Sequence, residues 1–306
     1  MTGESRFIDA LRALAVDPSA RGLADDCAVL PDMRGALVLT HDMIVEGVHF
    51  LKGADPADIA WRLVAVNLSD LAAAGATPVG VLLGYSLADS DKWDTRFVEG
   101  LGAALHHFAV PLLGGDTVRM PQGAARAFGL TAIGKAGPNG APSRAGAKPG
   151  DIVWVTGTIG DAGAGLALAQ LGQSEPAALL TAHNRPQPKL TEGQALGPQV
   201  SAMMDISDGL LVDARRMAEA SGVALHIRLD AVPLSEAYKA HSGGGIEARL
   251  AAATAGDDYQ LLFTLGEGLV PPVNATAIGH VADGTGLSLS FAGEALPLPD
   301  RLGYQH

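Results

Sequence analysis

A run of glycine, proline and small polar residues near the middle of the chain constrains the fold more than any other feature. Residues 137–150 read GPNGAPSRAGAKPG, a composition that forms turns and connections rather than long helices or central strands. On both sides of it, short apolar runs alternate irregularly with helical patterns, which suits two α/β domains better than one barrel. We therefore predict an N-terminal domain at 1–137, a linker at 138–150 and a C-terminal domain at 151–306.

Hydrophobic periodicity gives the elements expected within these domains. It predicts helices at 7–15, 56–75, 96–109, 166–171 and 210–220, and strands at 36–40, 78–87, 110–113, 126–135, 151–156, 223–229 and 259–264, with a further strand ending at Asp205. Residues 172–198 contain four prolines and little periodicity, so we expect a surface excursion with short helices there. The predicted fold class is α/β, of the α+β type.

Composition excludes several classes of protein. Hydrophobic residues make up 48% of the 306 residues and charged residues 18%, which argues against disorder. No run of 18 uncharged apolar residues occurs, and the first residues lack a basic segment followed by an apolar one, so we expect no membrane segment and a cytoplasmic protein. The formal net charge of −12 would repel nucleic acid. The single cysteine, Cys27, allows no disulfide within the chain.

Aspartates recur at the expected ends of strands or starts of helices. They stand in six segments, Asp25-Asp26, Thr40-His41-Asp42, Asn67-Leu68-Ser69-Asp70, Gly114-Gly115-Asp116-Thr117, Asp205-Ile206-Ser207-Asp208-Gly209 and Gly256-Asp257-Asp258. Any one Ser-Asp pair could simply cap a helix. A solvated acidic face would mix these acids with lysine, glutamate and glutamine, whereas here they are flanked by glycine, hydroxyl and apolar residues.

If these carboxylates converge, cations must offset their repulsion, which is about 4 kcal/mol for two charges 4 Å apart at an effective dielectric near 20. Oxygen ligands suit Mg²⁺, and several such ions usually serve phosphate chemistry. A nucleotide is therefore the leading substrate. No GxxxxGK[ST] loop is present, and for the GTIGDAGAG turn at 157–165 we favour close helix–strand packing over phosphate contact.

Seven segments, in the same order along the chain, resemble the thiamine-monophosphate kinase family. They are DDCAVL (25–30), THDMIVEGVHF (40–50), NLSDLAAAGATP (67–78), LLGGDT (112–117), SRAGAKPGD (143–151), DISDGL (205–210) and GDDYQLLFT (256–264). The family is similar to aminoimidazole ribonucleotide synthetase and selenophosphate synthetase within one ATP-binding superfamily. The resemblance implies two α/β domains, the first with a mixed sheet that mediates a homodimer, and direct transfer of the ATP γ-phosphoryl group to thiamine monophosphate.

The resemblance also implies roles for individual residues. The ligands of several Mg²⁺ ions would be Asp26, Thr40, Asp42, Asp70, Asp116, Asp205 and Asp208. Gly115, Asp116, Arg144 and Ser207 would contact ATP, and His49, Asp257 and Tyr304 would lie near the thiamine moiety. Catalysis would depend on Asp70, Asp116, Asp205, Asp208 and Arg144.

Three positions depart from the family's pattern. Ala24 precedes the acidic pair where the family has glycine, His41 replaces a hydroxyl residue, and Asp257 replaces glutamate. The histidine at position 41 argues against a metal contact there, and the shorter acid at position 257 changes how the substrate would be bound. None removes a core aspartate.

Two alternatives stay open at this stage. The chain could be another ATP-dependent synthetase of the superfamily, such as a cyclo-ligase or a selenophosphate synthetase. It could instead be a catalytically silent, metal-stabilised dimer that serves as a binding module.

Overall fold

The computed structural model describes residues 3–25, 27–87 and 90–304. It is an α/β protein of the α+β type with two compact units, one formed by residues 1–71 and 77–136 and the other by residues 72–76 and 137–306. The glycine- and proline-rich segment 137–150 belongs to the second unit. Within it Ala147 is buried and donates its backbone N–H to the Ser221 hydroxyl at 3.2 Å.

The first unit contains four strands and three α-helices among its described residues. In chain order these are α1 (Gly3–Arg12), β1 (Leu37–Val45), α2 (Pro56–Ala73), β2 (Thr77–Leu87), α3 (Asp91–His107), β3 (Leu112–Arg119) and β4 (Ala127–Lys135). The strands lie in the order β1-β4-β2-β3. Strand β4 is antiparallel to both neighbours and β2 is parallel to β3, so the mixed sheet that the resemblance implied is confirmed.

Aromatic residues form the centre of the first unit. The ring of Tyr85 on β2 lies 4.8 Å from that of Phe97 on α3 and 5.0 Å from that of Phe128 on β4. Leu63 and Leu68 of α2 are fully buried. This packing covers one face of the sheet.

The opposite face of β1 is open to solvent. Alternate residues of a strand share a face, and Leu39 and Met43 on this face are 64% and 53% exposed. Leu37 and, on β3, Val118 are also exposed. An exposed apolar strand face of this kind is typical of a surface that binds another protein surface.

The second unit contains seven strands and six α-helices among its described residues. They are β5 (Ile152–Thr156), α4 (Asp161–Gln170), α5 (Ala177–Asn184), α6 (Leu190–Leu196), β6 (Ala202–Asp205), α7 (Leu210–Ser221), β7 (Ala224–Arg228), α8 (Glu236–Ser242), α9 (Ile246–Ala255), β8 (Leu261–Leu265), β9 (Ala275–Ala282), β10 (Gly286–Phe291) and β11 (Glu294–Leu296). The strand order is β11-β10-β7-β9-β5-β8-β6.

Strand β8 has both faces covered. Leu262 joins the larger core, which includes residues of α4, α7 and α9, while Leu261, Phe263 and Leu265 join a smaller cluster with Leu196 of α6. The continuous apolar run of β8 reflects this burial on two sides.

The glycine-rich turn before α4 packs closely against helix α9, whereas the sequence favoured close packing between a helix and a strand. A Cβ on Gly160 would lie 2.5 Å from the Cβ of Ala252, and one on Gly163 would lie 2.3 Å from that of Ala255. Helix α4 begins at Asp161, five residues before the predicted start, and its first turns contain glycine because a larger side chain would clash with α9.

Sequence periodicity missed α8, α9 and the last three strands. The buried residues of α9 are Ala252 and Ala253, and small side chains give a weak apolar stripe. Strand β9 contains Gly279, at which a Cβ would lie 1.9 Å from the carbonyl oxygen of His226. Such close contacts between backbones require small residues, and small residues contribute little to the hydrophobic periodicity of the sequence.

Candidate functional site

Three candidate residues of the first unit, Thr40, Asp42 and Asp70, lie where β1 meets α2. The hydroxyl of Thr40 donates a hydrogen bond to the carboxylate of Asp70. The backbone N–H of Asp42 donates to Oδ1 of Asn67 at 2.8 Å. Thr40 and Asp42 share one face of β1, and Asn67 and Asp70 are neighbours on the helix surface. This arrangement collects three of the predicted Mg²⁺ ligands on one side of the sheet.

His41 points to the other face of β1. Its Nδ1 lies 2.9 Å from the hydroxyl of Thr131, and its ring packs against Gly129, where a Cβ would lie 3.0 Å from the ring. The face that carries His41 is the one that exposes Leu39 and Met43. The substitution at position 41 therefore leaves the Thr40–Asp70 side of the strand unchanged.

Asp116 lies at the opposite edge of the same sheet. Met43 pairs with Gly129, Gly129 with Gly84, and Gly84 with Asp116. Three strand spacings separate β1 from β3, which is about 14 Å. Paired residues share a face, so Asp116 lies on the open face, where its exposed carboxylate accepts the N–H of Thr117 at 2.9 Å.

His49 follows β1 and is partly buried. Its Nδ1 accepts a hydrogen bond from the backbone N–H of Val45 at 3.1 Å, so a neutral ring carries its proton on Nε2. In this tautomer Nε2 is the only ring nitrogen that can donate a hydrogen bond.

Most candidate residues of the second unit meet at the Ser207-Asp208 dipeptide. The carbonyl of Ser207 accepts the N–H of Asp257 at 2.7 Å, and the carbonyl of Asp208 accepts that of Tyr304 at 2.8 Å. Asp205, the last residue of β6, is buried and precedes the dipeptide by two positions. Backbone bonds thus join Ser207, a predicted nucleotide contact, to Asp257, and Asp208, a predicted Mg²⁺ ligand, to Tyr304.

Asp257 adopts an unusual backbone conformation beside this dipeptide. Its φ of 62° is left-handed, a region that non-glycine residues rarely occupy. The hydroxyl of buried Tyr259 donates to its Oδ1 at 3.0 Å. This bond fixes one carboxylate oxygen of Asp257, although the side chain is shorter than the family's glutamate.

Two residues that the sequence analysis did not select, Asp213 and Arg216 on α7, support the dipeptide. Asp213 is fully buried, and its Oδ2 accepts the N–H groups of Ser207 at 3.2 Å and Asp208 at 3.1 Å. Burial raises the pKa of Asp213 to about 6, against the opposing effect of the Arg216 guanidinium. A sequence signal existed, because Asp213 is an acid among apolar residues at helical spacing.

Arg144 is exposed, while the loop that carries it is fixed at several points. The carbonyl of Ser143 accepts the N–H of Met203 at 3.1 Å, and that of Arg144 accepts the Ser221 hydroxyl at 2.9 Å. The backbone is anchored and the guanidinium extends into solvent. Its phosphate contact therefore stays a prediction.

Asp26 lies outside the described residues. Within the described ranges, no three histidine, cysteine, aspartate or glutamate side chains stand together as a metal-binding group. In the same part of the chain, no helix has the length and apolar character needed to cross a membrane.

The chain resembles known proteins along most of its length. Residues 24–136 match the AIR synthase related protein N-terminal domain, and residues 148–297 match the C-terminal domain of the same group. These two matches define the class, a two-domain AIR synthase related protein.

Relatives with close sequence similarity narrow the class. The thiamine-monophosphate kinase of Salmonella typhimurium is 38% identical, over 99% of this chain and 96% of its own length. That of Escherichia coli K12 is 36% identical with the same coverage. The chain belongs to the thiamine-monophosphate kinase family.

Solved structures agree with this assignment. The thiamine-monophosphate kinase of Stenotrophomonas maltophilia has a TM-score of 0.83 and 36% identity, covering 96% of this chain and 97% of that one. AaThiL complexed with AMPPCP and TMP has a TM-score of 0.80 and 31% identity, covering 92% and 91%.

Proposed function

We propose that this protein transfers the γ-phosphoryl group of ATP directly to the phosphate of thiamine monophosphate and forms thiamine diphosphate. The observation that carries the proposal is the Ser207-Asp208 dipeptide, whose two carbonyls bind the N–H groups of Asp257 and Tyr304. Family membership supports it, and so does the homologue complexed with both AMPPCP and TMP.

Magnesium ions fit the donor set of the first unit. Thr40, Asp42 and Asp70 offer only side-chain oxygen atoms, which hard cations prefer, and the imidazole of His41 lies on the other face of β1. By motif, Asp26, Asp116, Asp205 and Asp208 would be further ligands of the several Mg²⁺ ions. When bound, Mg²⁺ neutralises charge on the phosphate oxygens.

The protein's own residues position the two substrates. We assign Gly115, Asp116, Arg144 and Ser207 to the nucleotide and His49, Asp257 and Tyr304 to the acceptor. Gly115 has a φ of 156°, and a Cβ there would lie 1.9 Å from the carbonyl oxygen of Leu83, so only glycine fits. Nε2 of His49 donates to the acceptor, and the guanidinium of Arg144 stabilises charge on the transferred group.

The transfer needs no covalent enzyme intermediate. An in-line displacement requires the acceptor phosphate oxygen to form a bond to the γ-phosphorus as the bond to the β,γ-bridging oxygen breaks, with ADP leaving. His49 is not poised as a nucleophile, because its Nδ1 accepts the Val45 N–H and its Nε2 carries the proton. Positioning and charge stabilisation account for the chemistry.

We also propose that the protein is a homodimer that buries the open face of the first unit's sheet. Leu37, Leu39, Met43 and Val118 form an apolar set on or beside this face, and 46–64% of each is exposed. Such surface is typical of an interface between copies of one chain. Asp116 lies on the same face, so the proposed interface adjoins a proposed nucleotide residue.

The ³¹P spectrum of a mixture of protein, Mg–ATP and thiamine monophosphate tests the proposed activity. We expect the signals of thiamine diphosphate and ADP to grow together. A mixture that consumes ATP only with a different acceptor would favour another synthetase of the superfamily. A mixture that consumes no ATP would favour the silent binding module.

A further inference from the structure

The main chain of Ser207 and Asp208 has a hydrogen-bond partner for each of its polar groups. Both carbonyls accept N–H groups from the segments that carry Asp257 and Tyr304, at 2.7 and 2.8 Å. Both N–H groups donate to one oxygen of Asp213, Oδ2, at 3.2 and 3.1 Å. The orientation of this dipeptide is therefore set by Asp213 on one side and by the two segments on the other.

Asp213 can orient the dipeptide only if its own side chain is held in place. It stands in the first turn of α7 with no exposed surface, and its second oxygen, Oδ1, accepts Nη1 of Arg216 at 2.8 Å. Buried N–H groups that lose their acceptor cost about 1–3 kcal/mol each. The carboxylate of Asp213 thus serves as the acceptor that the dipeptide's two N–H groups require.

Arg216 connects Asp213 to the side chain of Asp208. The same Nη1 atom donates to Oδ2 of Asp208 at 2.5 Å. The described residues provide no hydrogen-bond partner for the other oxygen of Asp208, Oδ1. Arg216 therefore engages one carboxylate oxygen and leaves the second available.

We propose that Asp213 and Arg216 are positioning residues for the phosphoryl transfer. Asp213 fixes the main chain of Ser207 and Asp208, and Arg216 turns the Asp208 carboxylate so that Oδ1 stays available for a cation. This inference rests on the proposed function. Residues that orient a metal ligand typically change metal affinity by about 10–100-fold when they are removed.

Arginine variants on α7 test the second half of the proposal. Arg216→Met removes the guanidinium and keeps most of the stem, and Arg216→Lys keeps the charge. The matched control is Arg215→Met, because Arg215 is the adjacent arginine and its Nε pairs with surface Glu219, at 3.7 Å. Calorimetry with AMPPCP at a series of Mg²⁺ concentrations gives the Mg²⁺ needed for half-maximal nucleotide binding.

We expect Arg216→Met to raise that Mg²⁺ concentration by about tenfold or more. Arg216→Lys should recover part of the loss, and Arg215→Met should match the wild type. Values for Arg216→Met within twofold of the wild type would overturn the proposal. A lower Mg²⁺ requirement would also overturn it, because Arg216 would then compete with the cation.

Aspartate variants test the first half. Asp213→Asn places an amide N–H against either the dipeptide or Arg216. The control Asp151→Asn changes a buried aspartate of the same unit that accepts the N–H of Lys148 at 3.0 Å. Both variants should lower the melting temperature, but only Asp213→Asn should weaken Mg–AMPPCP binding at temperatures where the protein is folded.

Equal binding by Asp213→Asn and the wild type would overturn the role of Asp213. If Asp213→Asn does not fold, the Arg216 series alone decides the proposal. Measurements on the wild type distinguish a failure of the proposed function from a failure of the positioning roles. A wild type that forms no thiamine diphosphate and binds no Mg–AMPPCP refutes the proposed function, whereas an active wild type with unchanged variants refutes only the positioning roles.

Discussion

Thr40 and Asp70 are joined by a hydrogen bond, although 30 positions separate them in the sequence. The bond links strand β1 to helix α2 and brings a hydroxyl and a carboxylate of the proposed Mg²⁺ set into contact. It also indicates how an aspartate can be changed without loss of the fold, because an asparagine oxygen can still accept from Thr40.

Replacement of Asp70, Asp116, Asp205 or Asp208 by asparagine should lower kcat by about 10²–10³-fold. The variants keep the side-chain shape but lose the negative charge that would bind Mg²⁺. Steady-state rates at saturating substrates measure the effect, and circular dichroism checks the fold. Asp58→Asn, on the same helix as Asp70, is the control. Near-wild-type turnover in two of the four variants would refute the metal-cluster proposal.

His49→Ala should raise KM for thiamine monophosphate and leave kcat within a few-fold of the wild type. The substitution removes the Nε2 donor, and a hydrogen bond to a charged group contributes about 1.5–3 kcal/mol, or roughly 10–100-fold in KM. His106→Ala, at an exposed position near the end of α3, is the control. An unchanged KM with a large fall in kcat would instead place His49 in the chemical step.

Leu39→Glu should convert the dimer to a monomer at micromolar concentration. In the dimer, a charge on the open face of β1 would be buried against apolar surface. The free-energy cost of burying this charge exceeds the free energy gained by forming the interface. Sedimentation velocity measures the assembly state. Leu171→Glu is the control, because Leu171 is also highly exposed, at 73%, but lies in the second unit. A wild-type monomer at all concentrations would refute the dimer.

Incubation with γ-labelled ATP alone should leave no covalent label on the protein. Direct transfer joins the two substrates without a protein nucleophile, so the configuration at phosphorus should invert. The label is counted after denaturation in acid and in base, and chiral ATP reports the stereochemistry. Stoichiometric labelling or net retention would show a phosphorylated enzyme, even if the product were thiamine diphosphate.

The stability of the second unit should fall with rising pH because of Asp258. Burial raises the pKa of this carboxyl well above its usual value, and its Oδ2 has no hydrogen-bond partner among the described residues. Its folded-state pKa is higher than its unfolded-state pKa. Its stabilising contribution is therefore complete below about pH 4, the unfolded value, and is lost as the pH rises through the folded value.

Asp258→Asn removes this titration while an amide oxygen can still accept the N–H of Gly160, the bond that Oδ1 of Asp258 makes at 2.8 Å. Urea unfolding of both proteins from pH 4.5 to 8 measures the difference in free energy of unfolding. The variant should gain stability relative to the wild type as the pH rises. A constant difference across this range would contradict a raised pKa.

Local patterns predicted much of the fold and many of the candidate residues. The strand at 126–135 and the helix at 210–220 agree closely with β4 and α7, because their apolar residues recur with the period of the element. The missed helix α9 packs through alanines against Gly160 and Gly163, and small residues give little periodic contrast. The seven motifs identified the family because they specify side-chain chemistry in a fixed order.

The sequence by itself determined the family, the mixed first sheet and the surplus of aspartate at strand and helix ends. Only the tertiary structure decided which of these residues meet. In the structure, Thr40 contacts Asp70, and Asp116 lies at the opposite edge of the same sheet. Asp213 accepts hydrogen bonds from the main chain of Ser207 and Asp208. The physical reason is that periodicity and capping act over a few residues, whereas these contacts depend on strand register and helix packing between distant segments.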